Sequence, residues 1–230
     1  MKNIVEFNSM DEFIAYRKNI TLAEIGSGSE GICYLGKDGF IYKDLTEGCF
    51  PYSLDVNSII TSDDIKVDNF IFPDVLFAEN SKLIGYRSKY IQRNLFDTDY
   101  LFREGIKEFD FNKLMDAYYD ICNDAEKLSD ANIEIFDLSY NLIFDGEKLY
   151  GIDTDHYKVV DYPVREHNIV CVNSAIKNEF IMIADYIFEE NIHGIFSNTK
   201  VVDFLNFFEE RFKNNSNGSL ATGGYQFIKK

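Results

Sequence analysis

Three glycines, one lysine, three aspartates and one asparagine stand in an order suited to phosphate chemistry. Gly26, Gly28 and Gly31 form a G-x-G-x-x-G spacing in "EIGSGSEG", and Lys43 comes after them in "FIYK". Asp137 and Asn141 share "FDLSYN", while Asp153 and Asp155 share "GIDTDHY". Glycines let a backbone approach phosphate oxygens with no Cβ in the way. A lysine on the adjoining strand can bind those oxygens, and carboxylates with an amide oxygen can hold Mg²⁺. Taken singly, each residue has an ordinary explanation: turn glycines, a solvent-facing strand lysine, loop-capping Asp and Asn. Their order along the chain is what points to phosphoryl transfer.

The glycine spacing by itself fits a dinucleotide-binding loop, which runs into a helix, as well as a loop joining two strands. The next twenty residues decide between them. Ile32–Leu35 and Phe40–Leu45 are β-rich runs around Gly36-Lys37-Asp38-Gly39, which is hairpin chemistry. No helix fits there, so the glycines join antiparallel strands. Upstream, Ser9 with Glu12 three residues later predicts a capped leading helix in "SMDEFIAYRKN". Downstream, "FIFPDVLFAENSKLIGYRSKYI" predicts two strands about Glu79-Asn80-Ser81. "NKLMDAYYDICNDAEKL" has apolar residues at helical spacing. A short hairpin about Asp145-Gly146 comes next, and then helical "SAIKNEFIMIADYIFEEN" and "TKVVDFLNFFEERFKN". Strands first and helices second suggest an α+β chain.

Together these residues make the chain resemble the protein-kinase-like superfamily, over roughly residues 20–160. The resemblance implies a bilobal fold with an antiparallel β-sheet N-lobe and a mainly helical, shortened C-lobe. On this division residues 1–91 form the nucleotide-binding lobe, 92–215 the helical lobe with the catalytic and metal loops, and 216–230 a flexible Gly/Ser-rich tail. It further implies ATP and Mg²⁺ in the cleft. Lys43 looks like the strand lysine that binds the α- and β-phosphates. Asp137 looks like the aspartate that orients the acceptor hydroxyl and takes its proton. Asn141 and Asp153 look like the metal-binding pair, with Asp155 a second acid beside the metal. Ile25 and Cys33 fall where the family covers adenine, and Ile143 where its floor lies. Ser88 falls at the gatekeeper, with Lys89 and Ile91 offering backbone groups to the base.

The chain departs from the family in places. Ile135 stands at the histidine of H-R-D, Asp137 to Asn141 is one residue shorter than usual, and neither Phe nor Gly comes directly after Asp153. Ile41 replaces the small alanine expected under adenine. No glutamate lies between Gly48 and Ala78 to pair with Lys43; Asp55 is the acid of the possible helix "YSLDVNSII", and Glu47 stands directly before Gly48. "IDTDHY" resembles an I-D-x-[DE]-Y pattern of small-molecule and atypical bacterial kinases. The resemblance therefore implies an atypical or minimal Ser/Thr kinase transferring the γ-phosphoryl group to a hydroxyl acceptor, a hydroxyl-bearing protein or small molecule. Two alternatives stand beside it: a small-molecule phosphotransferase, aminoglycoside- or choline-kinase-like, and an inactive pseudokinase that acts as a binding module.

Composition narrows the partners. The chain has 230 residues, 46% of them hydrophobic, which is enough for a sizeable core. Its formal charge of −16 argues against nucleic acid and anionic membrane surfaces. Cys33, Cys49, Cys122 and Cys171 form no C-x-x-C, and with His156, His167 and His193 scattered, a structural zinc site is not expected. The N-terminal "MKNIVEFNSM" lacks a signal-peptide core, so the expected location is cytoplasmic.

Overall fold

The structure is a computed structural model describing residues 3–28, 30–45, 56–97, 108–188, 199–219 and 225–227. Glu47, Cys49, Asp55 and His193 lie outside the described residues. Among those described, the chain is α+β, with a mixed six-stranded sheet and five helices. No described helix is long and apolar enough to cross a membrane.

The first half runs β1 (Asn3–Phe7), α1 (Met10–Ile20), β2 (Thr21–Ser27), β3 (Gly31–Gly36), β4 (Phe40–Leu45), α2 (Val56–Ser62), β5 (Val75–Glu79) and β6 (Lys82–Lys89). These strands form one sheet in the order β1-β5-β6-β4-β3-β2. The β3/β4 hairpin turns at Gly39, whose φ of 78° suits glycine. Asn80 and Ser81, both at positive φ, turn β5 into β6 as in a type I′ hairpin. The expectation of an antiparallel sheet needs one correction. β1 lies parallel to β5, pairing Asn3 with Val75 through Phe7 with Glu79, so the sheet is mixed. A parallel neighbour needs a long connection, and α1 to α2 supply it.

α1 starts where its sequence signals it. Ser9 Oγ accepts the Glu12 backbone N–H at 3.2 Å, and Glu12 reaches back to the Asn8 N–H at 2.8 Å. Phe13 is buried against Phe7 and Phe77, with centroids 5.3 and 5.4 Å away. Arg17 forks onto Asp44 at 3.2 and 2.7 Å, which ties α1 to the strand that carries Lys43.

The second half is built on α3 (Phe111–Asp130), α4 (Arg165–Phe188) and α5 (Val201–Asn215). Asp110 caps α3 by accepting the N–H groups of Asn112 and Lys113. Leu114, Ala117, Ile121, Ala125 and Leu128 form its buried stripe. Phe180, Phe204 and Phe208 join the same core. β7 (Glu108–Phe109) precedes α3. Between α3 and α4 come β8 (Ile133–Glu134), β9 (Leu142–Phe144), β10 (Leu149–Gly151), a 3₁₀ turn (Thr154–His156) and β11 (Lys158–Val159). Two short strands fall within residues 216–230. β12 (Ser216–Ser219) pairs with β13 (Tyr225–Phe227), and β13 pairs with β7, so pairing to a distant strand organises residues with little side-chain preference of their own.

Residues 68–71 lock the two halves together. Asp124 on α3 accepts the N–H groups of Asp68 and Asn69 at 2.7 and 2.9 Å. Gly151 donates to Asn69 O at 2.7 Å, and Ile71 donates to Gly151 O at 2.9 Å. A Cβ on Gly151 would stand 2.7 Å from the Phe70 ring, so glycine is required at this crossing. Two residues beyond it lies Asp153, held at a fixed place under the sheet.

Candidate active site

The glycine hairpin is built from β2 and β3, with Gly26 opposite Cys33 and Gly28 donating its N–H to Gly31 O at 2.9 Å. Its three glycines differ in kind. A Cβ on Gly31 would lie 2.1 Å from Asp44 O, so packing against β4 demands glycine there. Cβ atoms on Gly26 or Gly28 would meet nothing within 4 Å, so the protein's own packing requires neither. Both line an open cleft of about 430 Å³.

β4 places Lys43 between Cys33 of β3 and Tyr86 of β6. Its side chain is buried, and Nζ lies 2.6 Å from Asp153 Oδ1, 3.0 Å from Asp155 Oδ2 and 3.7 Å from Glu30 Oε2. Tyr86 donates its hydroxyl to the same Asp153 oxygen at 3.1 Å. Asp153 has a left-handed backbone, φ 55° and ψ 44°, at the start of the 3₁₀ turn, and Asp155 two residues on is a buried acid. Burial works against the Lys43 ammonium, but Asp155 and Asp153 outweigh it and hold its pKa above the ordinary value. Burial also opposes ionisation of Asp153, yet Lys43 more than compensates and keeps it below the ordinary carboxylate range. Asp155 goes the other way: burial, with the Asp153 charge beside it, pushes it up despite Lys43. One ammonium among three carboxylates leaves a charge of −2 when all are ionised. Asp155 Oδ1 is buried with no hydrogen-bond partner among the described residues. Such a set favours an added cation.

Across the cleft, the Asp137–Asn141 loop holds two left-handed residues, Asp137 at φ 52° and Tyr140 at φ 66°. Asn141 Nδ2 donates to Asp137 O at 2.8 Å, and Asn141 N donates to Leu138 O at 3.0 Å. With its amide nitrogen engaged, the Asn141 side-chain oxygen is the group left to face a metal. Asp137 is exposed.

The structure brings Gly26, Gly28, Gly31, Cys33, Lys43, Lys89, Asp137, Asn141 and Asp153 to one cleft, together with Ser88 and Ile41. Ile25, Ile91 and Ile143 lie outside that lining. Ile25 is 44% exposed on β2, and Ile143 pairs with Tyr150 in the β9/β10 hairpin. The expected Ile41 supplies the apolar wall together with Ile71 and Ile152. Burial pushes the Cys33 thiol up to about 11, so it is a neutral part of that wall. Asp155 sits beneath the lining as a counter-ion of Lys43, and α2 offers no acid for that role among its residues.

Sequence reasoning missed Glu30, Tyr86 and His156. Glu30 lies between two of the loop glycines and accepts from or pairs with His156 Nε2 at 2.7 Å, bridging the glycine hairpin to the 3₁₀ turn. Tyr86 was within reach of sequence analysis: it precedes Ser88 by two on β6, which puts both on one face. Nothing local signals the His156–Glu30 contact. No protein-family model and no curated protein matches this chain.

Proposed function

We propose that the chain is an ATP- and Mg²⁺-dependent phosphotransferase of minimal, protein-kinase-like build, which passes the γ-phosphoryl group to a hydroxyl acceptor. The observation that carries this reading is Lys43, buried beside the glycine hairpin and 2.6 Å from Asp153, in a cleft that Asp137 and Asn141 also line. Gly26 and Gly28 add to it, since open space above them explains glycine through a ligand's approach and not through packing. Lys43 would bind phosphate oxygens, and Asn141 with Asp153 would hold Mg²⁺, with Asp155 contributing negative charge beneath. Bound Mg²⁺ would neutralise charge on the phosphates. Asp137, exposed at the mouth of the cleft, would orient the acceptor hydroxyl and accept its proton.

A second reading is a binding module of the same build without transfer activity. It is favoured by the engagement of Lys43 with three carboxylates at once. Thermal-shift titration with ATP, with and without Mg²⁺, on wild type and Asp153→Ala separates the two. Binding raises the melting temperature with occupancy. The enzyme reading expects a Mg²⁺-dependent rise that Asp153→Ala abolishes. No rise at millimolar ATP would remove it and leave the binding module.

A further inference from the structure

Beside the Lys43–Asp153 pair, the glycine hairpin and the 3₁₀ turn bring a further set of donor atoms together. His156 Nε2 lies 2.7 Å from Glu30 Oε2. One ligand atom from each of Glu30, Asp155 and His156 can be chosen so that all three stand within 4.8 Å of one another. Asp155 is 4% exposed. Lys43 engages its Oδ2 at 3.0 Å, while its Oδ1 is buried with no hydrogen-bond partner among the described residues.

A histidine–carboxylate pair accounts for Glu30 and His156 but leaves the Asp155 oxygen unexplained. Burying a carboxylate oxygen without a donor opposes folding, and such an atom calls for a partner. The Lys43 ammonium already serves Asp153 and Asp155 Oδ2, and the carboxylates of Glu30, Asp153 and Asp155 outnumber it. A divalent cation would meet the free oxygen and cancel the surplus charge. The donor types say which cation. Mg²⁺ and Ca²⁺ take oxygen ligands, whereas an imidazole nitrogen beside two carboxylates suits Zn²⁺ and its first-row neighbours.

The distances agree. Ligand atoms around a tetrahedral Zn²⁺ lie about 3.3 Å apart, given bonds of about 2.0–2.1 Å. A set within 4.8 Å therefore has to close by no more than about 1.5 Å. Glu30 lines the open cleft, which gives an ion its way in. The scattered cysteines and histidines argue against a closed Cys/His zinc site. This set is of the open kind, with three protein ligands and a place for water.

We propose that Glu30, Asp155 and His156 form a binding site for a divalent transition-metal ion of the zinc type, which fastens the glycine hairpin to the 3₁₀ turn. The ion takes the place of the proton shared between Glu30 and His156, and that proton leaves to solvent. The site shares no ligand with the Mg²⁺ position given to Asn141 and Asp153. It does not depend on the phosphotransferase reading.

The test is calorimetric titration of the chelator-treated full chain with Zn²⁺, with Mg²⁺ present throughout. Wild type is expected to bind Zn²⁺, and His156→Ala and Glu30→Ala are each expected to weaken it at least about tenfold. His167→Ala is the control, because His167 Nε2 and Cys171 Sγ, 3.3 Å apart, are the other imidazole and thiol that could attract the ion. It should leave the affinity within about twofold of wild type, since His167 takes no part in the proposed site. NMR of the imidazole nitrogens in wild type needs no substitution: Zn²⁺ should shift those of His156 and leave those of His167 in place. The proposal is overturned if wild type binds no Zn²⁺, or if His156→Ala and Glu30→Ala bind it undiminished. Loss in His167→Ala, with the His156 nitrogens unmoved, would place the ion at Cys171 and overturn it equally.

Discussion

Lys43 of β4 and Asp155 of the 3₁₀ turn, 112 positions apart in sequence, meet at 3.0 Å beneath the cleft. The lysine is thereby charged and aimed without a glutamate from α2. Because both groups are buried, removing either leaves a charge short of compensation. Asp155→Ala is expected to cost about 2 kcal/mol, since Asp153 still pairs with the ammonium. Lys43→Met is expected to cost more, about 3–5 kcal/mol at pH 8, because three carboxylates then converge unopposed. The pH dependence should invert between the two proteins. In wild type, Asp153 lies below its ordinary 3.8, so its pairing stabilises the fold above that pH and is lost as pH falls through the depressed value. In Lys43→Met the same acids gain from protonation, so stability should rise as pH drops from 8 toward 4. Urea denaturation from pH 8 down to about pH 2 measures both, and a Lys43→Met deficit equal at pH 8 and pH 4 would refute the account.

Glu30 stands 2.7 Å from His156 Nε2 and 3.7 Å from Lys43 Nζ, so its carboxylate occupies ground that a phosphate would contest. Glu30→Gln is expected to tighten ATP about three- to tenfold, the scale of one like-charge contact relieved near a partly exposed lysine-bearing cleft. His156→Ala should free the hairpin from the turn and, combined with Glu30→Gln, give less than the product of the two effects, with a coupling of about 0.5–1.5 kcal/mol. Calorimetric titration of the four proteins decides it. Weaker ATP binding in Glu30→Gln would mean that the carboxylate serves the ligand and does not compete with it.

Much of this architecture was legible because its signals are local. The Asp38-Gly39 turn, the Ser9/Glu12 capping box and the apolar stripe of α3 each lie within a few residues, and each produces the element it announces. The polar landmarks were legible through their order along the chain, since the cleft gathers Lys43, Asp137, Asn141 and Asp153. What escaped depends on contacts between distant segments. Nothing around Asn3–Phe7 announces a parallel partner in Val75–Glu79, and nothing in "SNGS" announces β13. Asp155 enters as a second acid beside the metal through the family resemblance alone, and its bond to Lys43 appears only once β4 and the 3₁₀ turn are folded together. Ile25 and Ile143 enter the expected site by analogy alone and do not line it; Ile41, expected there, does, and the path of residues 69–71 adds Ile71 to the wall. Asn168 and Glu179 left a faint trace. They share helical spacing with Val172, Ala175 and Ile176, which puts two polar residues on a buried face.

The glycines offer a test that separates packing from ligand approach. Gly31→Ala would drive a Cβ to 2.1 Å from Asp44 O, and backbone must move to relieve it. A loss of about 2–4 kcal/mol is expected, with the β3/β4 pairing disturbed. Gly28→Ala meets nothing within 4 Å, so stability should stay within about 1 kcal/mol of wild type. Yet ATP affinity should fall in Gly28→Ala if phosphates approach that backbone. Thermal unfolding and calorimetry on both variants separate the two roles. Gly28→Ala with undiminished ATP binding would contradict the role given to this loop.

The buried Glu179 ties stability to pH. Burial pushes its carboxyl up to about 7, and the Tyr140 N–H offsets only part of that rise. The unfolded chain releases this proton near its ordinary 4.5, so between about pH 4.5 and 7 the folded state holds a proton that the unfolded state has lost. Folding then gains from acid: the contribution is complete below about pH 4.5 and disappears as pH rises through about 7. Glu179→Gln stays neutral throughout and lacks that slope. Relative to wild type, the glutamine variant should therefore gain about 1–2 kcal/mol between pH 5 and pH 8, or several degrees in melting temperature. Taking the difference between the two proteins at each pH cancels every other titrating group. A difference that does not change with pH would show that Glu179 ionises as an ordinary surface acid, and that its burial against the loop is not the state adopted in solution.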